Sequence, residues 1–397
     1  GQIVIPVSPY RKVKLCGIGG GLKTKVNCSV GTSTDIVDVD MEVQKVKAGE
    51  RAGADTIMEL STGGDFVEVR RRCIEATTLS VGSVPLYQAF IEAARKDGAV
   101  IHMREDDLFR ITEEQARLGT NFMAIHTGVN RITLDRLQRQ GRHGGLCSRG
   151  GAFLTAWMLH NDKENPLYAE FDRLLDIARE HEVTLSLGDG MRPGCIEDAT
   201  DAAQVAELVV LGELVKRSRE AGVQCMVEGP GHIPLHQVEA NIRMAKAITR
   251  GAPFYVLGPL VTDVAAGYDH IAAAVGGAVA AMSGADFLCY VTPREHLGLP
   301  TAEDVREGVI VTRIAAHAAD VARGIPGARD WDLDMSRARK GLDWERQLEL
   351  ALDPVKARKL FGERQVEGEE ACTMCGDFCA MRFISEYLGR DGMPACE

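Results

Sequence analysis

Short apolar or β-branched runs recur along this chain roughly every 20 to 50 residues, each followed by a polar or glycine-rich step and then a stretch of helical periodicity. No other feature constrains the fold as much. Parallel strands need a long crossover connection, and repeated strand–helix crossovers build an alternating α/β domain. Nine strands are expected, at "KVNCSVG", "TIMELSTGG", "SVPLYQ", "FMAIHTG", "GGLCSRGG", "VTLSLGDG", "QCMVEGPGH", "FYVLGP" and "DFLCYVTP". Between them, stretches such as "DFVEVRRRCIEAT", "EFDRLLDIAREH" and "HQVEANIRMAKAITRG" place apolar residues three and four apart, as amphipathic helices do. The predicted fold is an α/β (β/α)8 barrel of the TIM type, with one of the nine runs outside the barrel or not a strand. An open doubly wound sheet is the second reading.

Around the barrel, assigned to residues 24–300, a small N-terminal layer is expected over 1–23 and a helical region over 301–361. The helices are read at "EDVREGVIVTRIAAHAADVARG" and "DMSRARKGLDWERQLELALDPVKARKL", and residues 362–397 form a solvated tether and a cysteine-bearing tail. The glycine run "GIGGGLK" precedes a β-run instead of a helix, so it does not read as a phosphate loop.

In a (β/α)8 barrel the chemistry sits at the C-terminal ends of the strands. Unusual polar groups gather at those ends here: Ser29, Glu59, Tyr87, His126, Ser148, Arg149, Asp189, Arg192, Glu228, His232, Tyr255, Glu295 and His296. The formal charge of −11 and the 5% aromatic content exclude the basic, aromatic-laced surface of a nucleic-acid binder, leaving small molecules as partners. The sequence has no run of apolar residues long enough for a membrane span and, over its first twenty residues, no signal-peptide pattern. Eleven scattered cysteines do not suggest a disulfide framework, so a reducing cytoplasm is the expected location.

Three of those cysteines stand apart. "CTMCGDFCAM" sets Cys372, Cys375 and Cys379 in a C-x2-C-x3-C run without a fourth neighbour. A structural zinc would need a distant histidine or Cys396 as its fourth ligand, and a redox pair would leave Cys379 idle. A [4Fe-4S] cluster held by three thiolates accounts for the triplet directly, and its open iron can take the amino and carboxylate groups of S-adenosyl-L-methionine.

The motifs "STGGD", "CSRGGAFLTAWMLHN", "LSLGDGMRPG", "VEGPGHIPLH", "APFYVLGPLVTD", "GYDHI" and "CYVTPREHLGLP", with the cysteine run, resemble those of the phosphomethylpyrimidine synthase family and its anaerobic 5-hydroxybenzimidazole synthase paralogues. The resemblance covers nearly the whole chain. It implies a radical S-adenosylmethionine carbon–carbon lyase acting on 5-aminoimidazole ribotide with an external reductant, working as a homodimer whose cluster tail serves the partner subunit. Carried over by motif, the ribotide is held by Ser29, Met58, Tyr87, His126, Ser148, Arg149, Gly150, Asp189, Gly190, Met191, Arg192, Glu228 and Tyr255. Arg149 and Arg192 suit a phosphate as forked donors, and Gly150 and Gly190 let backbone N–H groups approach its oxygens. Asp189 and Glu228 are the expected catalytic carboxylates. His232 and His296 match a pair that binds a divalent metal in the family, zinc by expectation, with open coordination positions.

Two departures from the family pattern stand out, the first in the shape of the cysteine loop and the second at the substrate. "CGDFC" is one residue shorter than in the long bacterial and plant synthases, and at "VNCSVG" Asn27, Cys28 and Ser29 replace an asparagine–alanine–asparagine pattern. Ser29 loses the amide's paired donor and acceptor at the substrate end. "HTG" and "CSRGGA" also change small pocket neighbours, so the expected product is 5-hydroxybenzimidazole, a cobalamin lower-ligand precursor. The alternative is the thiamine-pathway pyrimidine phosphate, and a non-catalytic ribotide or iron–sulfur sensor is the reading from another class.

Overall fold

The computed structural model describes residues 1–365 and 371–388, in two compact units, Gly1–Asp320 and Val321–Glu397. Part of the expected tether and Cys396 therefore lie outside the described residues.

The first unit begins with a two-stranded antiparallel pair, β1 (Ile3–Val4) and β2 (Ile18–Gly19). Eight parallel strands then close into a barrel. They are β3 (Lys25–Val30), β4 (Thr56–Glu59), β5 (Ser80–Ser83), β6 (Phe122–Ile125), β7 (Thr184–Leu187), β8 (Cys225–Gly229), β9 (Phe254–Leu257) and β10 (Phe287–Cys289). Closure is made by β10 on β3, with Cys289 opposite Asn27. The (β/α)8 expectation holds.

Continuous burial explains why these runs are strands, since "TIME", "FMAI" and "TLSL" are covered on both faces and need no polar side. Inside the barrel, Phe122 and Phe287 meet edge to face at 6.4 Å, and Tyr255 lies 4.3 Å from Phe287. Glycine makes that packing possible: a Cβ at Gly82 would sit 2.3 Å from the Phe122 ring. Outside, the helices present apolar stripes to the barrel. In Phe171–Glu180 the buried residues are Phe171, Leu174, Leu175 and Ala178, at helical spacing. Helix starts are set by capping side chains, as where Asp65 accepts from the Val67 and Glu68 N–H groups, and by proline at Pro85.

Two strand expectations fail. "GGLCSRGG" is a loop running into the helix Arg149–Asn161; Gly141 and Gly145 adopt positive φ, and Ser148 spends its hydroxyl accepting from the Gly151 N–H as the helix cap. This removes the surplus ninth run. "SVPLYQ" is a strand only at Ser83, because Pro85 opens the helix Pro85–Asp97 and the strand lies earlier, over Ser80–Ser83.

The helix Ala302–Ala322 follows the barrel. The second unit contains Ala328–Lys340, Trp344–Leu350, Pro354–Gly362 and Ala380–Leu388. The continuous helical stretch expected from Asp334 onward is thus broken, at Gly341 and the left-handed Leu342 and again before Pro354. No helix among the described residues is long and apolar enough to cross a membrane.

Candidate active site

A cavity of about 530 Å³ opens at the C-terminal ends of the strands, lined by Ser29, Met58, Tyr87, His126, Asp189, Arg192, Glu228 and Tyr255, with Cys289 beside them. Eight of the residues expected from sequence therefore converge here. Period-two alternation decides which β3 residues take part. Asn27 and Ser29 face inward, with the Asn27 amide donating to the Tyr255 hydroxyl at 2.9 Å and to the Ser29 hydroxyl at 3.3 Å. Cys28 faces the helix Val39–Ala52 instead, where a Cβ at Gly49 would meet its sulfur at 2.6 Å. Ser29 Oγ is 3.5 Å from Cys289 Sγ, and its carbonyl accepts from the Tyr290 hydroxyl at 2.6 Å.

Charge is concentrated on the β7 and β8 side. Arg192 donates to Asp189 at 3.0 Å, and the Ser186 hydroxyl donates to Glu228 at 2.7 Å. Burial raises the Asp189 carboxyl to about 6 despite the Arg192 cation, and burial together with the Asp189 charge raises Glu228 to about 8. Two carboxyls pushed apart from their ordinary range, with different partners, can hold a proton on one and a charge on the other near neutral pH. His126 is driven the other way, to about 3, by burial and then by Arg192, so it is a neutral imidazole.

The remaining expected residues frame the pocket without lining it. Arg149 stacks its guanidinium 4.9 Å from the centre of the Tyr87 ring. A Cβ at Gly150 would strike the His126 ring at 2.5 Å, and one at Gly151 would meet the Gly190 carbonyl oxygen at 2.1 Å. The glycines thus bring the Arg149 helix terminus against the β7 loop. Met191 is wholly buried and contributes its backbone, with its N–H donating to Glu207 at 2.8 Å. Glu59 faces away from the mouth, paired with Arg70 at 3.1 Å and accepting from the Ser61 N–H.

His232 and His296 come together with ring centroids 5.4 Å apart. Nδ1 of His232 is 2.7 Å from Asp263, and Nδ1 of His296 is 3.2 Å from Asp269. The carboxylate hydrogen-bonded to Nδ1 of His232 leaves its Nε2 as the ligand atom and fixes that ring, the arrangement typical of metal-binding histidines, whereas Asp269 is a charged neighbour of His296 without a hydrogen bond to it. The donor set fits a divalent metal with open positions, although no group of three or more His, Cys, Asp or Glu side chains forms a metal site among the described residues.

In the second unit, Cys372 leads into a turn, Cys375 precedes the short helix Gly376–Phe378, and Cys379 precedes the helix Ala380–Leu388. Cys375 is exposed and the other two are partly so, which fits thiolate ligands reachable by an incoming cluster.

Sequence reasoning missed several participants. Asn27 was named only as part of the strand-end pattern and Cys289 had no role, yet period-two counting from Ser29 turns Asn27 inward. Asp263 and Asp269 stood in the quoted "VTD" and "GYDHI" motifs without a role. Glu207 and the buried ion pair of Arg142 with Asp201, at 2.7 Å, left no local signal.

Fold and site together define a (β/α)8-barrel enzyme whose pocket pairs buried carboxylates with an arginine at the strand ends. The chain belongs to the Radical SAM ThiC family, which it matches over residues 1–386. A Methanospirillum hungatei relative named phosphomethylpyrimidine synthase is 72% identical, over 98% of this chain and 91% of its own. Relatives of the same name from Methanoculleus marisnigri and Moorella thermoacetica are 65% and 61% identical, each over 98% of this chain and 91% and 90% of their own. The family implies a [4Fe-4S] cluster and S-adenosyl-L-methionine.

These relatives overturn the product expectation. Serine at position 29 does not mark a 5-hydroxybenzimidazole synthase, since close relatives over nearly the full length carry the other name. The physical reason is visible at β3: Ser29 works within a shared set with Asn27, Tyr255 and Cys289, so one shortened side chain does not by itself set the chemistry.

Proposed function

We propose that this protein is a phosphomethylpyrimidine synthase, converting 5-aminoimidazole ribotide into the 4-amino-5-hydroxymethyl-2-methylpyrimidine phosphate of thiamine biosynthesis. The observation that carries this reading is the 72% identity to a relative of that name over 98% of the chain. The pocket is compatible with it. Arg192, with Arg149 at the glycine-rich helix start, suits the phosphate, while Asp189 and Glu228 suit the ribose hydroxyls, the aminoimidazole amine or proton movement. Ser29, Met58, Tyr87, His126 and Tyr255 wall the reacting part of the substrate from water. Ser148, Gly150, Gly190 and Met191 shape the phosphate end through their backbones.

In this reading Cys372, Cys375 and Cys379 hold the cluster. When bound, it supplies the electron from an external reductant that cleaves S-adenosyl-L-methionine. His232 and His296 hold a divalent metal, taken as zinc, beside the substrate. The homodimer, with each tail serving the partner subunit, and a cytoplasmic location remain part of the proposal.

The test is anaerobic turnover of cluster-reconstituted protein with 5-aminoimidazole ribotide, S-adenosyl-L-methionine and a reductant, followed by mass identification of the product. The pyrimidine phosphate with 5′-deoxyadenosine is expected. Any other ribotide-derived product, or none from protein with a full cluster, overturns the proposal.

A further inference from the structure

Glu207 lies on the helix Ala202–Glu220, behind the turn that carries Asp189 and Arg192, and is 2% exposed. Its Oε2 accepts the Met191 N–H at 2.8 Å. On the carbonyl side of the same turn, Arg142 donates to the Met191 oxygen at 2.5 Å and to the Arg192 oxygen at 3.1 Å. Arg142 is itself held by both oxygens of Asp201, at 2.7 and 2.8 Å. The turn is therefore gripped by its N–H from one side and by its carbonyls from the other.

A second, small pocket shares Asp189, Arg192 and Glu228 with the active site and is lined by Gln204, Glu207 and Asn241 among others. Among the described residues, Glu207 Oε1, Asp189 Oδ2 and Arg192 Nε have no hydrogen-bond partner, and all three belong to residues bordering this space. The side chain also fits closely, because a Cβ at Gly128 would meet Glu207 Cγ at 2.5 Å.

We propose that Glu207 is a positioning residue acting as an uncharged carboxylic acid: it fixes the 189–192 turn, and so the Arg192 guanidinium, for an anionic ligand group without placing another negative charge behind it. The charged groups around it are Asp189 and Arg192 on the turn, Arg142 on the loop after the helix Arg131–Gln140, and Glu228 on β8; the helix Leu235–Ile248 borders the same space with the uncharged Asn241 and Ala245. Burial first, then the Asp189 charge, push this carboxyl well above its usual range. A charged Glu207 would compete with the ligand for the field of Arg192 in a low-dielectric setting.

The choice of ribotide as ligand rests on the proposed function; the state of Glu207 does not. Ribotide affinity is measured by calorimetry from pH 6.5 to 9.5 for the wild type, Glu207→Gln and Glu207→Leu. The glutamine keeps the acceptor for Met191, so its affinity should stay within about threefold of the wild type at pH 7, whereas leucine should lose about tenfold or more. Wild-type affinity should also fall more steeply at high pH than that of Glu207→Gln. Glutamine as damaging as leucine at pH 7, or identical pH profiles for wild type and Glu207→Gln, overturns the inference. Absence of any wild-type ribotide binding would instead sink the proposed function. In that case thermal melting decides, because an acid neutral in the folded state makes the wild type lose stability relative to Glu207→Gln as pH rises. Parallel melting profiles would then overturn the inference.

Discussion

His232 and His296 face each other at 5.4 Å between ring centroids; Asp263 hydrogen-bonds Nδ1 of His232 at 2.7 Å, while Asp269 stands 3.2 Å from Nδ1 of His296 as a charged neighbour. Replacing either histidine with alanine should abolish divalent-metal binding in equilibrium dialysis. Asp263→Asn should weaken it by roughly 10- to 100-fold, since the bracing carboxylate sets both ring orientation and ligand basicity. Metal retention by the double histidine variant would remove this pair from consideration.

The arginines should separate phosphate recognition from the rest of the pocket. Loss of a charged hydrogen bond on Arg192→Ala or Arg149→Ala should cost on the order of 1.5–3 kcal/mol in ribotide binding. The larger effect is expected at Arg192, because its removal leaves the buried Asp189 without its partner at 3.0 Å. Calorimetry with the ribotide and with its dephosphorylated riboside reads this directly: the riboside should be nearly indifferent to Arg149→Ala.

Stability should fall with alkaline pH through Glu228. Its folded-state carboxyl is raised from 4.5 to about 8 by burial and by Asp189, so the folded chain binds that proton more tightly than the unfolded one. The resulting stability is full below the ordinary carboxylate range and is lost as pH rises through about 8. Glu228→Gln can still accept from Ser186 but cannot ionise. Its melting temperature relative to the wild type should rise between pH 5 and 9, and a constant difference would contradict the shift.

Cys372→Ala, Cys375→Ala and Cys379→Ala should each lose cluster iron while the first unit melts unchanged, because all three cysteines belong to the other compact unit. Iron and sulfide analysis beside a thermal melt measures both. A triple variant that still binds a stoichiometric cluster would show that the ligands lie elsewhere.

Most of the fold was legible because strand and helix periods are local properties of the chain. The two strand errors share a cause. "GGLCSRGG" and "PLYQ" have the apolar content of strands, but a serine cap and a proline start turn each into a helix entry. Of the site, residues such as Met58, Glu228 and Tyr255 were named through the family motifs that carry them, and the structure places all three at the pocket. The Ser29 argument went astray because a single side chain was weighed without its neighbours Asn27, Tyr255 and Cys289, which come from β3, β9 and β10.

By itself, then, the sequence determined what nearest-neighbour chemistry can encode: an alternating strand–helix pattern, the cysteine spacing, and the motifs that mark the family. Only the tertiary structure decided the electrostatics of the pocket. His126 is neutral because the folded barrel buries it beside Arg192, and Glu207 meets the Met191 N–H across sixteen residues of chain through packing alone. Desolvation and charge pairing depend on distances in space, and those exist only once β10 has closed on β3.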